Sequence, residues 1–193
     1  MEQTKVPGGE ALRTVFLDRD GVINEKAPEG EYIRRVQDLT LLNGAASAIA
    51  RLNRAGVRVV VVTNQRGVAL GLYTVEDVRK IEAALEEMLA AEDARVDGFY
   101  FCPHDEGTCN CRKPQPGLFE QARADFQEID PASSVMIGDS LSDVEFGRGL
   151  DMRTIFIDAP AERQRSGAER ARAIADMRLG ALAEAVEYLL NRA

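Results

Sequence analysis

The 193-residue sequence predicts an α/β fold in which a parallel β-sheet is flanked by helices. Short runs of β-branched and aromatic residues alternate along the chain with longer segments whose apolar residues recur at helical spacing. Such alternation is typical of parallel sheets that carry helices on both faces. Three of the apolar runs also end in acidic or hydroxyl side chains, and ligands bind at the carboxyl ends of parallel strands.

Five strands and five helices follow from this pattern. The predicted strands are Val15–Asp18, Val57–Thr63, Gly98–Phe101, Ser134–Gly138 and Thr154–Ile157. The predicted helices are Gly44–Ala55, Thr74–Ala94, Gly117–Phe126, Ser142–Leu150 and Leu179–Asn191. Thr74 and Asp77 indicate a capping box at the start of the second helix. The segment Ala161–Asp176, rich in Arg, Ala and Glu, fits either a solvated helix or a loop.

Composition and charge limit the possible functions. The length, with 45% hydrophobic and 29% charged residues, suits one soluble domain over residues 1–193, in which residues 1–12 form a flexible tail. No apolar run approaches the roughly 20 residues of a membrane span, and no signal-peptide core is visible. We therefore expect a cytoplasmic monomer without a membrane partner. The net charge of −8 argues against nucleic-acid binding but permits a small anionic substrate at a local cluster of cations.

The first predicted strand ends in two acidic residues. Asp18 and Asp20 stand one residue apart, and Gly21 follows them. Two carboxylates at the end of one strand repel each other unless a cation or a shared proton intervenes. Mg²⁺ prefers such oxygen ligands, and a metal-held aspartate can act as a covalent nucleophile. The alternative is an ordinary turn or helix cap built from Asp and Gly.

Polar residues also follow the second and fourth predicted strands. Thr63 and Asn64 offer a hydroxyl and backbone N–H groups that can hold a phosphoryl oxygen, although this pair is also common in turns. Asp139 ends the fourth strand and can complete the Mg²⁺ site, while Asp143 can orient Ser140 or a metal-bound water. A helix cap is again the alternative.

All three cysteines and the only histidine fall in one loop after the third predicted strand. They stand at Cys102, His104, Cys109 and Cys111. Three thiolates and one imidazole match a closed, tetrahedral zinc site of the structural type, which leaves no open position for catalysis. Reduced structural cysteines or a disulfide are the alternatives, and a disulfide leaves one Cys over.

Two basic residues, Arg112 and Lys113, follow this loop directly. Arg offers a planar fork for a phosphate or for hydroxyls, and Lys offers a point charge. Two exposed basic residues before a proline are the plain alternative. Their proximity to the metal loop favours phosphate binding.

The order of these motifs, from Asp18 through Thr63 and Lys113 to Asp139, resembles the haloacid dehalogenase phosphatase superfamily. Within it, the zinc loop and the segment Phe16–Asn24 are similar to one branch, that of the D-glycero-D-manno-heptose 1,7-bisphosphate phosphatases and the histidinol-phosphate phosphatases. The resemblance covers nearly the whole chain. It implies a Rossmann-like fold with a zinc-binding loop and no large cap domain, only a small flap around residue 32.

The resemblance also implies roles for single residues. Asp18 is the nucleophile that becomes an aspartyl-phosphate, and Asp20 is the general acid and then the base that activates water. Asp18, the backbone carbonyl of Asp20 and Asp139 hold Mg²⁺, which favours the anion of Asp18, so the pKa of Asp20 is expected to lie above that of Asp18. The remaining implied ligands are Thr63, Asn64, Gln65, Arg66, Arg112 and Lys113 for phosphate and substrate, and Cys102, His104, Cys109 and Cys111 for Zn²⁺.

The leading functional prediction is a Mg²⁺-dependent phosphatase that converts a small phosphorylated sugar, D-glycero-D-manno-heptose 1,7-bisphosphate, to heptose 1-phosphate for surface-glycan synthesis. Histidinol-phosphate phosphatase is the enzymatic alternative. A phosphorylatable receiver or a zinc-stabilised interaction module are the alternatives without enzymatic activity. Arg66 and Ser140 depart from the heptose branch, which affects substrate recognition more than the reaction.

Overall fold

A computed structural model of the chain describes residues 11–28, 30–158, 160 and 166–191. Within these residues the chain forms six strands and six α-helices. The strands are β1 (Thr14–Leu17), β2 (Arg58–Asn64), β3 (Gly98–Cys102), β4 (Ser134–Gly138), β5 (Arg153–Ile157) and β6 (Met177–Leu179). The helices are α1 (Ala45–Arg54), α2 (Val75–Ala90), α3 (Gly117–Asp125), α4 (Leu141–Gly149), α5 (Ala168–Ile174) and α6 (Leu182–Asn191).

The strands form one parallel sheet in the order β3-β2-β1-β4-β5-β6. In the middle of the sheet, Phe16 of β1 lies opposite Val60 of β2 on one side and opposite Met136 of β4 on the other. The strand order reverses between β1 and β4, because β2 and β3 extend to one side and the later strands to the other. Such a reversal opens a crevice at the carboxyl ends of the two strands.

Side-chain alternation along β1 divides the core into two layers. Val15 and Leu17 are fully buried on one face, against apolar residues of α1, α2 and α6. Phe16 points to the other face, where it packs with residues of α3 and α4 such as Leu118 and Phe146. A smaller apolar cluster joins α4, α5 and the inner part of β5. Helices therefore cover both faces of the sheet, and its carboxyl edge lies between the two helical layers.

The segment between β1 and α1 forms a small flap (residues 25–40). Its base is closed by backbone hydrogen bonds from Glu25 N to Thr40 O (2.8 Å) and from Leu42 N to Ile23 O (2.9 Å). The described part of the flap contains one 3₁₀ turn, Val36–Asp38, and the described chain has no large cap domain. This agrees with the prediction of a small flap.

Over the same described ranges, none of the helices has both the length and the apolar character that a membrane crossing requires.

The five predicted strands and five predicted helices are confirmed, with ends that shift by a few residues. The capping box of α2 is also confirmed. Thr74 Oγ1 accepts a hydrogen bond from Asp77 N (3.1 Å), and Asp77 Oδ2 accepts one from Thr74 N (2.9 Å).

The predicted start of the last helix at Leu179 is wrong. Met177–Leu179 forms the edge strand β6, which pairs with β5, and the helix starts at Leu182. Three residues are too short to show a periodic pattern in the sequence. The segment Ala161–Asp176 contains the helix α5 in its described part, and residues 161–165 lie outside the described residues.

The predicted flexible tail, residues 1–12, does not extend to Leu12. The Leu12 side chain is only 6% exposed and belongs to the core layer beneath α1, α2 and α6. Residues 1–10 lie outside the described residues.

Truncation of one core side chain of α2 tests this packing. Leu85 is fully buried and Met88, on the same helix, is 36% exposed. We expect Leu85→Ala to lower the free energy of unfolding by about 2–5 kcal/mol, because it removes buried methyl groups and leaves a cavity. Met88→Ala should change it by less than about 0.5 kcal/mol. Urea denaturation of the two variants measures both values, and equal losses would contradict this assignment of the buried face.

Candidate active site

Four loops meet at the carboxyl edge of the sheet, at the crevice between β1 and β4. Asp18 directly follows β1, Thr63 lies near the end of β2, Lys113 lies in the loop after β3, and Asp139 directly follows β4. A backbone hydrogen bond from Asp18 N to Ile137 O (3.0 Å) ties the first of these loops to β4. The structure thus brings together residues that are up to 121 positions apart in the sequence, between Asp18 and Asp139.

A buried lysine lies between two of the carboxylates. Lys113 Nζ is 2.8 Å from Asp18 Oδ1 and 2.6 Å from Asp143 Oδ1, and it also donates to the backbone oxygen of Val62 at 2.6 Å. Lys113 is 3% exposed. A buried ammonium is stable only when paired and hydrogen-bonded, and here two carboxylates and a carbonyl supply that pairing.

The backbone of Lys113 is held by Asn64. Asn64 Nδ2 donates to Lys113 O (3.1 Å), and Lys113 N donates to Asn64 Oδ1 (3.0 Å). Asn64, which the sequence predicts to bind phosphate, thus has both ends of its side-chain amide bonded to the backbone of Lys113. This contact fixes the loop after β3 to the end of β2.

Asp143 connects the lysine to the start of α4. Its Oδ2 accepts hydrogen bonds from Ser140 N (3.0 Å) and Ser140 Oγ (2.6 Å), and the first of these belongs to the capping box of α4. Ser140 is one of the two partners that the sequence predicts for Asp143. A Cβ at Gly138 would lie 2.2 Å from the Asp143 Cβ, so only glycine at the end of β4 leaves room for this carboxylate.

Asp20 is held by three donors. Arg19, which is 0% exposed, reaches both carboxylate oxygens with its Nη2, at 3.0 and 2.9 Å. Asn24 Nδ2 donates to Oδ1 (2.9 Å) and Gln65 Nε2 donates to Oδ2 (3.0 Å). The Gln65 side chain, predicted to bind phosphate or substrate, is 2% exposed and also donates to Thr63 Oγ1 at 2.9 Å.

These environments set the pKa values of the two aspartates in opposite directions. Burial raises the pKa of Asp18 to about 7 although Lys113 opposes this, and the neighbouring carboxylates raise it further. Burial also acts to raise the pKa of Asp20, but the Arg19 charge and the hydrogen bonds outweigh it, so this pKa lies below its usual value. The expected order, with Asp20 above Asp18, concerns the Mg²⁺-bound site and stays a prediction; in the metal-free protein the order is reversed, and Arg19 contributes to this as a partner of Asp20.

Asp139 pairs with Lys26, a residue of the flap that the sequence analysis missed. The Lys26 ammonium contacts Asp139 Oδ2, and the two side chains are 9% and 4% exposed. Burial raises the pKa of Asp139 to about 6, and Lys26 opposes this shift. No spacing or motif in the flap points to Asp139, so only the folded chain shows this pair.

The turn between β1 and the flap requires glycine at one position. Gly21 has φ of +94°, and a Cβ built there would lie 2.1 Å from Asp139 Oδ2. Any other residue would be strained in this backbone conformation and would collide with the carboxylate.

Three carboxylates have the composition of a site for a hard divalent cation. One oxygen from each of Asp18, Asp139 and Asp143 lies within 4.8 Å of the others. Burial, with a smaller effect of neighbouring carboxylates, raises the pKa values of Asp18 and Asp139, although Lys113 and Lys26 oppose these shifts. The donor set fits Mg²⁺, which binds carboxylate oxygens. The carboxylate of Asp20 is not in this group, which is consistent with the prediction that only its backbone carbonyl is a ligand.

The cysteine and histidine side chains converge in the loop after β3. The three Sγ atoms are 3.1 to 3.5 Å apart, and His104 Nδ1 lies 3.2 Å from Cys111 Sγ and 3.7 Å from Cys102 Sγ. A tetrahedral zinc with Zn–S bonds of about 2.3 Å separates its ligands by roughly 3.8 Å, close to these distances. The three cysteines are free, so no disulfide forms among them.

Two arginines are predicted from the sequence to contact substrate. In the structure, each forms an ion pair with an acidic residue of the loop after β3. Arg66 Nε is 2.6 Å from Asp105 Oδ1, and Arg112 Nη2 is 3.3 Å from Glu106 Oε1. Both arginines are partly exposed. They attach the loop to the end of β2 and to the segment that carries Lys113.

A cleft of about 800 Å³ adjoins the site between the flap and the loop after β2. Its lining includes Lys26, whose ammonium pairs with Asp139, and Tyr73, whose hydroxyl donates to Gln65 Oε1 at 2.8 Å. Exposed Arg34 also lines it. The cleft is large enough for a phosphorylated sugar, and its lining mixes three basic side chains with four acidic ones: Lys26, Arg34 and Arg35, and Glu25, Glu31, Asp38 and Asp77.

Comparisons with known proteins agree with this geometry. The family described as HAD-hydrolase-like matches residues 110–179. The D-glycero-alpha-D-manno-heptose-1,7-bisphosphate 7-phosphatase of Mycobacterium tuberculosis is 42% identical over 137 residues, which is 70% of this chain and 72% of that protein. The D-glycero-beta-D-manno-heptose-1,7-bisphosphate 7-phosphatase of Salmonella typhi is 34% identical over 183 residues, or 91% and 94% of the two chains.

A solved structure is similar over nearly the whole fold. The D,D-heptose 1,7-bisphosphate phosphatase from B. bronchiseptica, complexed with magnesium and phosphate, has a TM-score of 0.81 and 28% identity, and the match covers 94% of this chain and 100% of that one. With the parallel sheet, the acidic strand ends and these relatives, the chain belongs to the haloacid dehalogenase-like hydrolases, in the branch of the heptose 1,7-bisphosphate phosphatases, and is a phosphoric monoester hydrolase.

Proposed function

We propose that this chain hydrolyses the 7-phosphate of D-glycero-D-manno-heptose 1,7-bisphosphate, with Mg²⁺, through an aspartyl-phosphate on Asp18. The observation that carries the proposal is the ion pair of Asp18 with buried Lys113, next to Asp139 and Asp143, at the crevice of the sheet. The names of the relatives support the substrate. The higher identity to the alpha-specific relative supports the α anomer as the preferred form.

The proposed reaction has two steps. An oxygen of Asp18 attacks phosphorus, the bond from phosphorus to the sugar oxygen breaks, and Asp20 gives a proton to that oxygen. The pKa of Asp20 is lowered in the free site, so Asp20 takes up this proton only when the phosphate dianion binds, because the added negative charge raises that pKa. A water molecule then attacks the phosphorus of the aspartyl-phosphate, the bond from phosphorus to the Asp18 oxygen breaks, ionised Asp20 takes a proton from the water, and inorganic phosphate leaves. Asp18 and Asp20 both return to their starting states, as general acid–base and covalent catalysis require.

The site must also stabilise charge on the transferring group. Lys113 and the Thr63 hydroxyl would contact the phosphoryl oxygens, since most catalysis of phosphoryl transfer comes from positioning and charge. Mg²⁺, held by Asp18, Asp139 and the Asp20 carbonyl, supplies further positive charge to these oxygens when bound. Asn64 and Asp143 keep Lys113 in place through the contacts described above.

The sugar and the distal phosphate would lie in the cleft between the flap and the loop after β2. Arg34 and Lys26 line this cleft and would contact the distal phosphate, and four acidic side chains line it as well. Arg66 and Arg112 would leave their acidic partners in the zinc loop to contact the substrate, because both pairs are partly exposed and such pairs are weak.

We also propose that Cys102, His104, Cys109 and Cys111 bind a structural Zn²⁺ that shapes the loop before Lys113. The compact arrangement of three sulfur atoms and one ring nitrogen supports this. The protein would act as a cytoplasmic monomer without nucleic-acid or membrane partners. Its net charge of −8 supports the exclusion of nucleic acid.

A phosphate-release assay tests the function. With Mg²⁺, we expect the wild type to release one phosphate from heptose 1,7-bisphosphate, with a higher kcat/KM for the α anomer than for the β anomer or for histidinol phosphate. Asp18→Asn should lower kcat by at least about 10⁴-fold, because it removes the nucleophile.

Asp151→Asn is the matched control for this loss of a carboxylate. Asp151 is exposed and has φ of +59°, a conformation that Asn tolerates, so this variant should keep wild-type activity. A wild type that is inert on all these esters, or an active Asp18→Asn variant, would overturn the proposed function. A higher kcat/KM for histidinol phosphate would replace the substrate only.

Removal of the buried lysine should have a pH-dependent effect on stability. In the absence of Mg²⁺, we expect Lys113→Met to lower the free energy of unfolding by about 3–5 kcal/mol at pH 8, because buried carboxylates lose their counter-ion. The loss should be smaller at pH 5.5. The pKa of Asp18 is raised to about 7, so below that pH its carboxyl is protonated and needs no counter-ion.

Urea denaturation at both pH values measures this difference. Lys80→Met is the control, since Lys80 is an exposed lysine that pairs with Glu76 on α2, and it should change stability little at either pH. An equal loss for Lys113→Met at pH 8 and pH 5.5 would contradict the assigned role of the ion pair.

Zinc content tests the metal loop. Elemental analysis of protein purified in reducing buffer should find about one zinc per chain, and Cys109→Ser should lose it. Because the loop leads directly to Lys113, this variant should lose most phosphatase activity at a temperature where the fold is still intact by circular dichroism. Thr108→Ser, an exposed neighbour, should keep both zinc and activity. A zinc-free wild type with full activity would count against the metal.

A further inference from the structure

The loop after β2 carries a buried tyrosine that the reaction scheme does not use. Tyr73 is 6% exposed, and its hydroxyl donates to Gln65 Oε1 at 2.8 Å. Tyr73 stands eight residues from Gln65 and is part of none of the motifs in the sequence, so it was not predicted to belong to the site.

The hydrogen bond from Tyr73 determines which end of the Gln65 amide faces the site. A side-chain amide has an acceptor oxygen and a donor nitrogen. Because Oε1 accepts from Tyr73, Nε2 points to the other side, where it donates to Asp20 Oδ2 (3.0 Å) and to Thr63 Oγ1 (2.9 Å). The reversed amide would place its oxygen against the carboxylate of Asp20.

Tyr73 itself is fixed by its surroundings. A Cβ at Gly67 would lie 2.1 Å from a carbon of the Tyr73 ring, so glycine at this position leaves room for the ring. On its other side the ring packs against Tyr32 of the flap, with centroids 5.9 Å apart. Burial raises the pKa of Tyr73 to about 12, so the hydroxyl keeps the proton that it donates.

We propose that Tyr73 is a positioning residue for the proton transfer by Asp20, and that it acts through the amide of Gln65. Of the two Asp20 oxygens, Oδ1 accepts from Arg19 and Asn24, whereas Oδ2 is held by Arg19 and Gln65. Without the Tyr73 hydroxyl the amide is free to rotate, and Oδ2 loses one of its two donors. The inference rests on the proposed function, in which Asp20 protonates the leaving oxygen.

Leaving-group dependence separates this role from a general structural one. A sugar alkoxide leaves only with a proton from Asp20, whereas p-nitrophenolate is a good leaving group that needs little protonation. We expect Tyr73→Phe to lower kcat/KM by roughly tenfold for heptose bisphosphate and by less than about twofold for p-nitrophenyl phosphate. The parameter kcat/KM includes the step in which the sugar leaves and excludes later hydrolysis of the aspartyl-phosphate.

A double-mutant cycle tests whether Tyr73 acts through Gln65. Gln65→Ala should lower kcat/KM for the sugar phosphate at least as much as Tyr73→Phe does, and Tyr73→Phe in the Gln65→Ala background should have no further effect. This cycle needs only the sugar substrate. Independent, additive losses from the two substitutions would overturn the proposal.

Tyr100→Phe provides the matched control. The Tyr100 hydroxyl also donates to a side chain, Asp125 Oδ2 at 2.8 Å, at the end of α3. This variant should leave the ratio of the two kcat/KM values unchanged, and thermal unfolding of both Phe variants shows that the fold is retained. Equal losses for Tyr73→Phe on both esters overturn the inference alone, whereas a wild type inert on every ester overturns the proposed function and the inference together.

Discussion

The buried ammonium of Lys113 is the contact on which the rest of the site depends. It lies between Asp18 and Asp143, and it is held by a carbonyl of β2 as well. Two carboxylates from different strand ends approach closely only with a cation between them, because a buried and uncompensated pair is costly. The end of β1 and the start of α4 are thus joined electrostatically, across the crevice that the sheet topology creates.

Many residues at the strand ends position other residues. Asn64 holds the backbone of Lys113, Asp143 caps α4 while it contacts the same lysine, and Gln65 orients Asp20. Side chains that are held in this way lose little conformational freedom when a substrate binds, which favours catalysis by positioning. The sequence predicts that Asn64 and Gln65 bind phosphate or substrate. In the folded chain, protein atoms already occupy both of these side-chain amides.

Sequence alone predicted the architecture because each signal was local. Alternating apolar runs marked the strands, the Thr74 and Asp77 pair marked a helix start, and the acidic strand ends marked the crevice. Contacts across the sheet left no such signal. Lys26 in the flap meets Asp139 only after folding, and Arg19, although next to Asp20, gave no indication that its guanidinium would turn back onto that carboxylate. In the metal-free protein the Arg19 contact contributes to the lowered pKa of Asp20.

The charge balance of the folded site limits when it can accept a phosphate. Four carboxylates, from Asp18, Asp20, Asp139 and Asp143, face three cations, from Arg19, Lys26 and Lys113. Negative charge therefore exceeds positive charge before any substrate is present, and a phosphate dianion would add to the excess. In the metal-free protein, burial first and the neighbouring carboxylates second raise the pKa values of Asp18 and Asp139, and protonation relieves both costs. A divalent cation would relieve the repulsion without protonating Asp18, which supports the proposed role of Mg²⁺ in substrate binding.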